Sequence, residues 1–365
     1  MALAAGVAPE LMWELWMSRA LALAALAEGH TSPNPLVGAV VLDRNGRLVG
    51  EGFHARCGQP HAEVGALRQA GATARGGTLV VTLEPCCHHG RTPPCSEAVV
   101  KAGIRRVVVA LEDPDPRVDG GGIRQLREAG LEVISGVLRD EARQQNRAFL
   151  HRIRTGRPFG ILKWAMSLDG RTALPNGVSQ WISSPPARDW VHQLRSGMDA
   201  VIVGGGTVRA DDPLLTSRGR RSPEPLRVVL SQSLDLPNQM QLWDTAVAPT
   251  LVAYGPDADP QRLPCGPEGL GLSACDPLHL MEALAERGCN QVLWECGPEL
   301  AAAAIRQGCV QEIAAVVAPK LMGGTAARTP LGELNFSAME EVLQGDWHQC
   351  EPLGQDWLLR WRIGS

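Results

Sequence analysis

Thr78-Leu79-Val80-Val81-Thr82-Leu83-Glu84-Pro85-Cys86-Cys87-His88-His89-Gly90-Arg91-Thr92-Pro93-Pro94-Cys95 runs from an apolar strand, across a proline-stiffened loop, into the start of a helix. Such a strand–loop–helix passage belongs in a sheet covered by helices. A helix N-terminus also stabilises thiolate, the form of cysteine that binds metal, and Cys95 stands there. Upstream, His61-Ala62-Glu63 opens another helical stretch, which puts Glu63 in its first turn. One imidazole and two thiols (His61, Cys86, Cys95) suit a zinc ion whose fourth tetrahedral position stays open to water. Glu63, two residues beyond the histidine, is placed to carry protons rather than to bind metal. Cys86 is preferred to Cys87 because it follows Pro85 directly. Two plainer readings stand beside this one: a closed structural site recruiting Cys87, His88 or His89, or loop cysteines that bind no metal. A structural knuckle has no use for a carboxylate so placed.

Outward from this stretch, helix and strand signals alternate. Helices are expected over Trp13–Ala27, His61–Ala70, Ser96–Ala102 and Ile123–Ala129, and strands over Leu36–Leu42, Thr78–Leu83, Arg106–Leu111 and Leu131–Ser135. Gly71, Gly103 and Gly130 close helices, and Asp43-Arg44-Asn45-Gly46 signals a turn. The alternation predicts a mainly parallel, helix-covered sheet. A basic connector, Asn146–Pro158, precedes a second series with strands at Phe159–Ala165, Ala200–Val203, Arg227–Ser231, Thr250–Tyr254, Gln291–Glu295 and Glu312–Ala318. Helices at Pro186–Ser196, Leu278–Arg287 and Leu300–Gln307 separate some of them. The halves share no motif, so two different domains are expected, 1–150 and 151–365, in a chain of 365 residues.

Bulk properties exclude some classes. The net charge is −4 and no basic stripe stands out, which argues against a nucleic-acid partner. Leu11–Leu26 is apolar, yet Glu14, Ser18 and Arg19 interrupt it and no basic segment precedes it, so it reads as an amphipathic packed helix rather than a leader or membrane span. Of 10 cysteines, three crowd one loop and the others are scattered singly, which fits reduced thiols and a cytoplasmic protein.

Thr31-Ser32-Pro33-Asn34-Pro35 presents the Asn34 amide, and Gly50-Glu51-Gly52-Phe53-His54 ends seven residues before His61. Taken singly, Asn34 and His54 read as turn and surface groups. With His88 and Arg91 they could form a phosphate-binding rim. In the second half, Asp199–Val203 leads into Gly204-Gly205-Gly206-Thr207, and Trp294-Glu295-Cys296-Gly297-Pro298-Glu299-Leu300 is another strand, glycine turn and helix start. Such turns can offer backbone N–H groups to phosphates, though each glycine cluster taken alone reads as a tight turn. There is no G-x-G-x-x-G and therefore no Rossmann fingerprint.

H-x-E…P-C resembles the signature of zinc deaminases, with the last thiol displaced to nine residues after Cys86. Together with T-S-P-N-P-L-V-G and L-E-P-C-C-H-H-G-R-T-P-P-C, that displacement resembles the deaminase half of the bifunctional riboflavin-biosynthesis deaminase–reductases. L-K-x-A-x-S-L-D-G-R, S-Q-W-I-S-S, G-x-x-T-V-x-A-D-D-P and E-x-G-P resemble the reductase half. The resemblance implies an α/β chain: an N-terminal cytidine-deaminase-like three-layer α/β/α domain plus a C-terminal dihydrofolate-reductase-like α/β domain. It implies zinc on His61, Cys86 and Cys95, Glu63 as proton shuttle, and substrate contacts from Asn34, His54, His88 and Arg91. For the second domain it implies NADPH against Ala165, Trp181, Thr207, Asp211, Gly297, Pro298, Glu299, Leu300, Ala301, Ala302 and Ala303. Substrate would lie against Ser179, Arg195, Leu215, Arg218 and Glu295, with Lys163 near the reacting centre. Leu230-Ser231-Gln232 departs from the family's usual aspartate, and Cys87 from its usual serine or asparagine. The implied partners are phosphorylated pyrimidines and a second copy of the chain, joined through the reductase domain. A nucleic-acid-editing deaminase and a non-catalytic zinc-stabilised binding protein are the alternatives. The first needs a basic face, and the second has no use for two complete motif sets.

Overall fold

A computed structural model describes residues 9–88, 93–115, 118 and 120–364. It divides into two compact units, Met1–Thr155 and Gly156–Ser365.

In the first unit the elements run α1 Pro9–Ala25, β1 Gly38–Leu42, β2 Leu48–Phe53, α2 Ala62–Ala70, β3 Thr78–Leu83, α3 Cys95–Lys101, β4 Arg106–Leu111, α4 Gly121–Glu128, β5 Glu132–Ser135, α5 Arg139–Gln145 and α6 Arg147–Thr155. The sheet order is β2-β1-β3-β4-β5. Only β3–β4 and β4–β5 are parallel; β1 runs antiparallel to both β2 and β3. The sheet is therefore mixed, not mainly parallel. The expected turn closes a hairpin onto β2, whose Gly-Glu-Gly composition concealed it. The Asp43 carboxylate accepts from the backbone N–H groups of Asn45 and Arg47, and Gly46 takes φ +76°.

Strand alternation builds two cores. Val40, Leu42, Val80 and Val108 face Trp13, Trp16, Met17 and Phe149, while Ala39, Val41, Val81 and Val109 face Ala62, Ala66, Val99 and Leu126. This is the expected three-layer α/β/α arrangement. The α1 helix packs Trp13, Trp16, Met17 and Ala20 inward but leaves Leu11 and Leu15 exposed, so its apolar residues are not confined to one face as the expected amphipathic pattern requires. The Asn146–Pro158 connector is not a linker. Its first nine helical residues form α6, and Asn146 is buried, donating to the Leu36 carbonyl and accepting from the Leu36 N–H. The division accordingly falls at Thr155/Gly156, later than the expected 150/151.

Gly52 explains how the site is aimed. A Cβ there would come within 2.4 Å of the Ala62 carbonyl oxygen, and one at Gly50 within 2.2 Å of that of Ala66. Bare backbone at these two positions lets α2 lie directly on β2.

The second unit contains β6 Phe159–Ser167, α7 Pro185–Ser196, β7 Ala200–Gly204, α8 Gly205–Asp211, β8 Leu226–Ser231, β9 Thr250–Tyr254, β10 Glu268–Gly271, α9 Pro277–Glu286, β11 Gln291–Trp294, α10 Pro298–Arg306, β12 Glu312–Ala318, β13 Gly345–Leu353 and β14 Asp356–Ile363. The order is β10-β9-β8-β7-β11-β6-β12-β14-β13. All pairs from β10 through to β12 are parallel, and β14 and β13 add an antiparallel edge. The glycine turn after β7 passes straight into α8. β10, β13 and β14 were not foreseen: β10 is short and half glycine, β13 is mostly solvent-facing, and β14, largely half-buried, lacks a clear apolar period.

Candidate active sites

In the first unit, two helix starts and one strand end converge. His61 is the N-cap of α2, Cys95 begins α3, and Cys86 follows β3. Their ligand atoms lie within 4.8 Å of one another. His61 Nδ1 is 3.2 Å from Cys95 Sγ and 3.7 Å from Cys86 Sγ. Cys95, as hydrogen-bond donor, and then His61 pull the Cys86 thiol far below its ordinary pKa; the Cys86 partnership and burial push Cys95 up. A thiolate at Cys86 disfavours ionisation of its neighbour Cys95. A divalent ion would let both be thiolates, so the donor set fits zinc in number, type and position. Cys87 does not join it: its Sγ is 4.0 Å from the Val118 carbonyl oxygen and faces the start of α4.

Glu63 is 3% exposed in the first turn of α2. Burial raises its carboxyl to about 6. A cation at the adjacent ligands would draw it back down. His54 is buried edge-on to His61 at 5.3 Å. Its Nδ1 lies 3.3 Å from the Pro60 carbonyl oxygen and so carries the proton; its Nε2 then accepts from Asn34 Nδ2 at 3.0 Å. This chain of bonds fixes which way the Asn34 amide points. Burial lowers the His54 pKa, consistent with that neutral tautomer.

Asn34, His54, His61, Glu63, Cys86 and His88 all line one cavity of about 580 Å³. His88 Nδ1 is buried with no hydrogen-bond partner among the described residues. Arg91 lies outside the described residues. Sequence reasoning missed Asp113, Asp115, Phe149 and Arg152, which line the same cavity. Asp113 and Asp115 follow the carboxyl end of β4, where open α/β sheets place ligands, and that rule was the available signal. Arg152 was hidden in the supposed connector; it donates to the Pro33 carbonyl at 2.9 Å.

In the second unit, a cavity of about 1010 Å³ gathers Lys163 and Ala165 from β6, Ser179, Thr207 and Asp211 from α8, Glu295, and Gly297 to Leu300 at the start of α10. Beside it, Arg195 grips Glu295 with two bonds of 2.6 and 3.0 Å and donates to the Thr216 carbonyl. Lys163 Nζ is 4.0 Å from Glu295 Oε2. Burial would raise the Glu295 carboxyl, but the Arg195 guanidinium, then Lys163, hold it at about 2. Burial pulls Lys163 below the usual lysine range. The cavity suits a dinucleotide: it holds about 1010 Å³ and includes the N-terminus of α10, whose first N–H groups lack intrahelical partners.

Several residues expected to make contacts do not line this cavity. The Ala301 and Ala302 side chains turn into the core at 1% and 0% exposure, because α10 packs that face on the sheet; Ala303 is half-buried outside the cavity lining. Leu215 is buried, Arg218 is exposed, and both have left-handed backbone. Trp181 is exposed beneath the Arg188 guanidinium, 4.5 Å from its ring. Arg195 touches the site through Glu295 rather than by lining the cavity.

Residues 12–111 match the cytidine and deoxycytidylate deaminase zinc-binding region, and residues 158–359 match the RibD C-terminal domain. The chain belongs to the RibD family. The riboflavin biosynthesis protein RibD of Synechocystis is 52% identical over 94% of both chains, and that of Escherichia coli 43% identical over 86% of this chain and 89% of its own. Acinetobacter baumannii RibD superposes with a TM-score of 0.88 at 39% identity, covering 98% of this chain and all of that one. A Thermotoga maritima structure, described as a diaminohydroxyphosphoribosylaminopyrimidine deaminase/5-amino-6-(5-phosphoribosylamino)uracil reductase, gives 0.87 at 33% identity over 97% of this chain and 99% of its own. The RibD relationship thus spans both units, and each cavity falls in the unit whose motif announced it.

Proposed function

We propose that the chain carries out two successive steps of riboflavin biosynthesis, as RibD proteins do. It hydrolytically deaminates 2,5-diamino-6-ribosylamino-4(3H)-pyrimidinone 5′-phosphate, then reduces the ribosyl group of 5-amino-6-(5-phosphoribosylamino)uracil to ribityl with NADPH. The observation that carries this is the pairing of a three-ligand, Glu63-backed cavity with a separate dinucleotide-sized one.

In the deaminase cavity His61, Cys86 and Cys95 hold zinc, which when bound supplies the Lewis acidity that makes water nucleophilic near neutral pH. Glu63 takes the proton from the attacking water and delivers it to the departing amine. Asn34, oriented by His54, holds the pyrimidine. His88, Arg91 and Arg152 offer charge and hydrogen bonds to the phosphate end. In the reductase cavity NADPH supplies the hydride. Ala165, Thr207, Asp211 and Gly297 to Leu300 seat the cofactor. Ser179 and Glu295 orient the ribosyl carbon, and Lys163 lies beside it to manage the developing charge. Arg195, acting through Glu295, and the exposed Arg218 are the residues proposed to serve the substrate.

The chain is proposed to be cytoplasmic and to pair with a second copy through the reductase unit. Among the described residues no helix is long and apolar enough to cross a membrane, and all ten cysteines are free thiols. The antiparallel edge exposes Trp347 at 62% and Trp357 at 53%, a surface suited to self-association. The test is to incubate the purified protein with the diaminopyrimidine substrate, with and without NADPH, and identify products by mass. Loss of the amine without NADPH and gain of two hydrogens with it is expected; no conversion in either case sinks the reading.

A further inference from the structure

Arg328 lies in neither motif set. It lines the reductase cavity, where the only cationic side chains among the described residues are Arg328 and Lys163. Lys163 already faces Glu295. Three carboxylates line the same cavity, from Asp211, Glu295 and Glu299. A dinucleotide that brings a diphosphate and a further phosphate needs more positive charge than this wall otherwise offers.

The backbone holds Arg328 at a defined place. Its carbonyl accepts from the Thr172 N–H at 2.8 Å, and Arg328 bridges to Ala173 in strand fashion. Four residues on, the Gly332 N–H donates to the Pro298 carbonyl at 3.0 Å. A Cβ at Gly332 would meet Glu299 Oε1 at 2.9 Å, so the segment lies directly against the first turn of α10. Arg328 is thus fixed between the 172–179 wall of the cavity and the helix N-terminus. The side chain itself is exposed and carries no hydrogen bond among the described residues. It is near enough to Asp211 to draw that carboxyl down against the upward push of burial.

We infer that Arg328 is a cofactor-binding residue that pairs with a phosphate of the dinucleotide and completes the anion site begun by the N-terminus of α10. This rests on the reductase reading and deepens it. A guanidinium can engage phosphate by two parallel bonds, while the helix end offers N–H groups from the other side. Because Arg328 is exposed, the contact should be screened by salt.

The test is direct binding of NADP⁺ and NAD⁺ to the full-length protein by titration calorimetry, at low and high salt, for the wild type, Arg328→Gln and Arg328→Lys. Circular dichroism checks the fold. Arg328→Gln is expected to weaken NADP⁺ binding roughly 10- to 100-fold, with a flatter salt dependence, and Arg328→Lys to recover part of the loss. The KM for NADPH should rise while kcat at saturating cofactor holds. Equal losses for both nucleotides assign the contact to the diphosphate, and a loss confined to NADP⁺ assigns it to the 2′-phosphate; either supports the inference. Unchanged affinity of folded Arg328→Gln for both nucleotides overturns it and leaves the reductase reading standing. A wild type that binds neither nucleotide overturns both.

Discussion

Glu63 sits two residues from His61, a proposed zinc ligand, yet its proposed task is separate from holding the metal. Glu63→Gln is expected to keep about one zinc per chain and to lose deamination by roughly 10²- to 10⁴-fold, since that is what general acid–base catalysis contributes. Metal analysis and amine release on the same preparation check it; near-normal turnover would reduce the carboxylate to a structural role. Cys95→Ser should lose both zinc and deamination, while Cys87→Ser, whose thiol faces the start of α4, should keep both. Glu295 allows a test by pH. Its folded pKa of about 2 lies below the ordinary glutamate value of about 4.3. A depressed carboxyl stabilises the fold fully above the unfolded value and loses that contribution as pH falls through the folded one. The unfolding free energy of the wild type should therefore exceed that of Glu295→Gln by about 3 kcal/mol near neutrality, and the gap should close between about pH 5 and pH 2. A gap that is constant with pH would mean that the Arg195 pairing is not what holds the carboxyl down.

The catalytic motifs were readable because each is local in sequence and ends an element: His61 before α2, Cys86 after β3, Cys95 at the start of α3. The elements that escaped are those whose residues answer to a neighbour rather than to their own period. β2 is built around Gly50 and Gly52 because α2 lies on it, so its composition reads as loop. α6 looked like a basic linker because only Phe149 and Leu150 are buried in it, and Arg152 was lost with it. Glu84 shows the same limit. Within L-E-P-C it carries no assigned role. In the fold it is 3% exposed and accepts from the N–H groups of Asp113, Gly120 and Ile123 at 3.1, 3.2 and 3.0 Å. It caps α4 from just beyond the end of β3 and ties down the segment bearing Asp113 and Asp115 at the cavity. A carboxamide has one accepting oxygen, so Glu84→Gln must turn an amide N–H toward at least one of these donors. It is expected to cost about 1–3 kcal/mol of stability and to raise the deaminase KM with zinc retained. An unchanged KM in the folded variant would show that the cavity wall does not depend on this cap.

At the scale of the molecule, the proposed zinc-site residues and the residues of the larger cavity fall in different compact units, with no lining residue shared among the described residues. Chemical independence follows if each reaction draws only on groups within its own cavity, and the full-length protein can show it with two variants. Glu63→Gln should block the first step but still oxidise NADPH when supplied with the deaminated ribosyl compound. Lys163→Met should deaminate at the wild-type rate and accumulate that same compound, because the ammonium beside Glu295 is gone while His61, Cys86 and Cys95 are untouched. Mixing the two variants should then restore the complete conversion, with a lag that shortens as protein concentration rises, since the intermediate must leave one molecule and enter another. Product masses over time distinguish the outcomes. If the mixture stayed inactive while each variant kept its own half-reaction, the intermediate would have to pass within one chain. If reduction vanished with the Glu63 change in a folded protein, a single shared centre would have to replace the two-site reading.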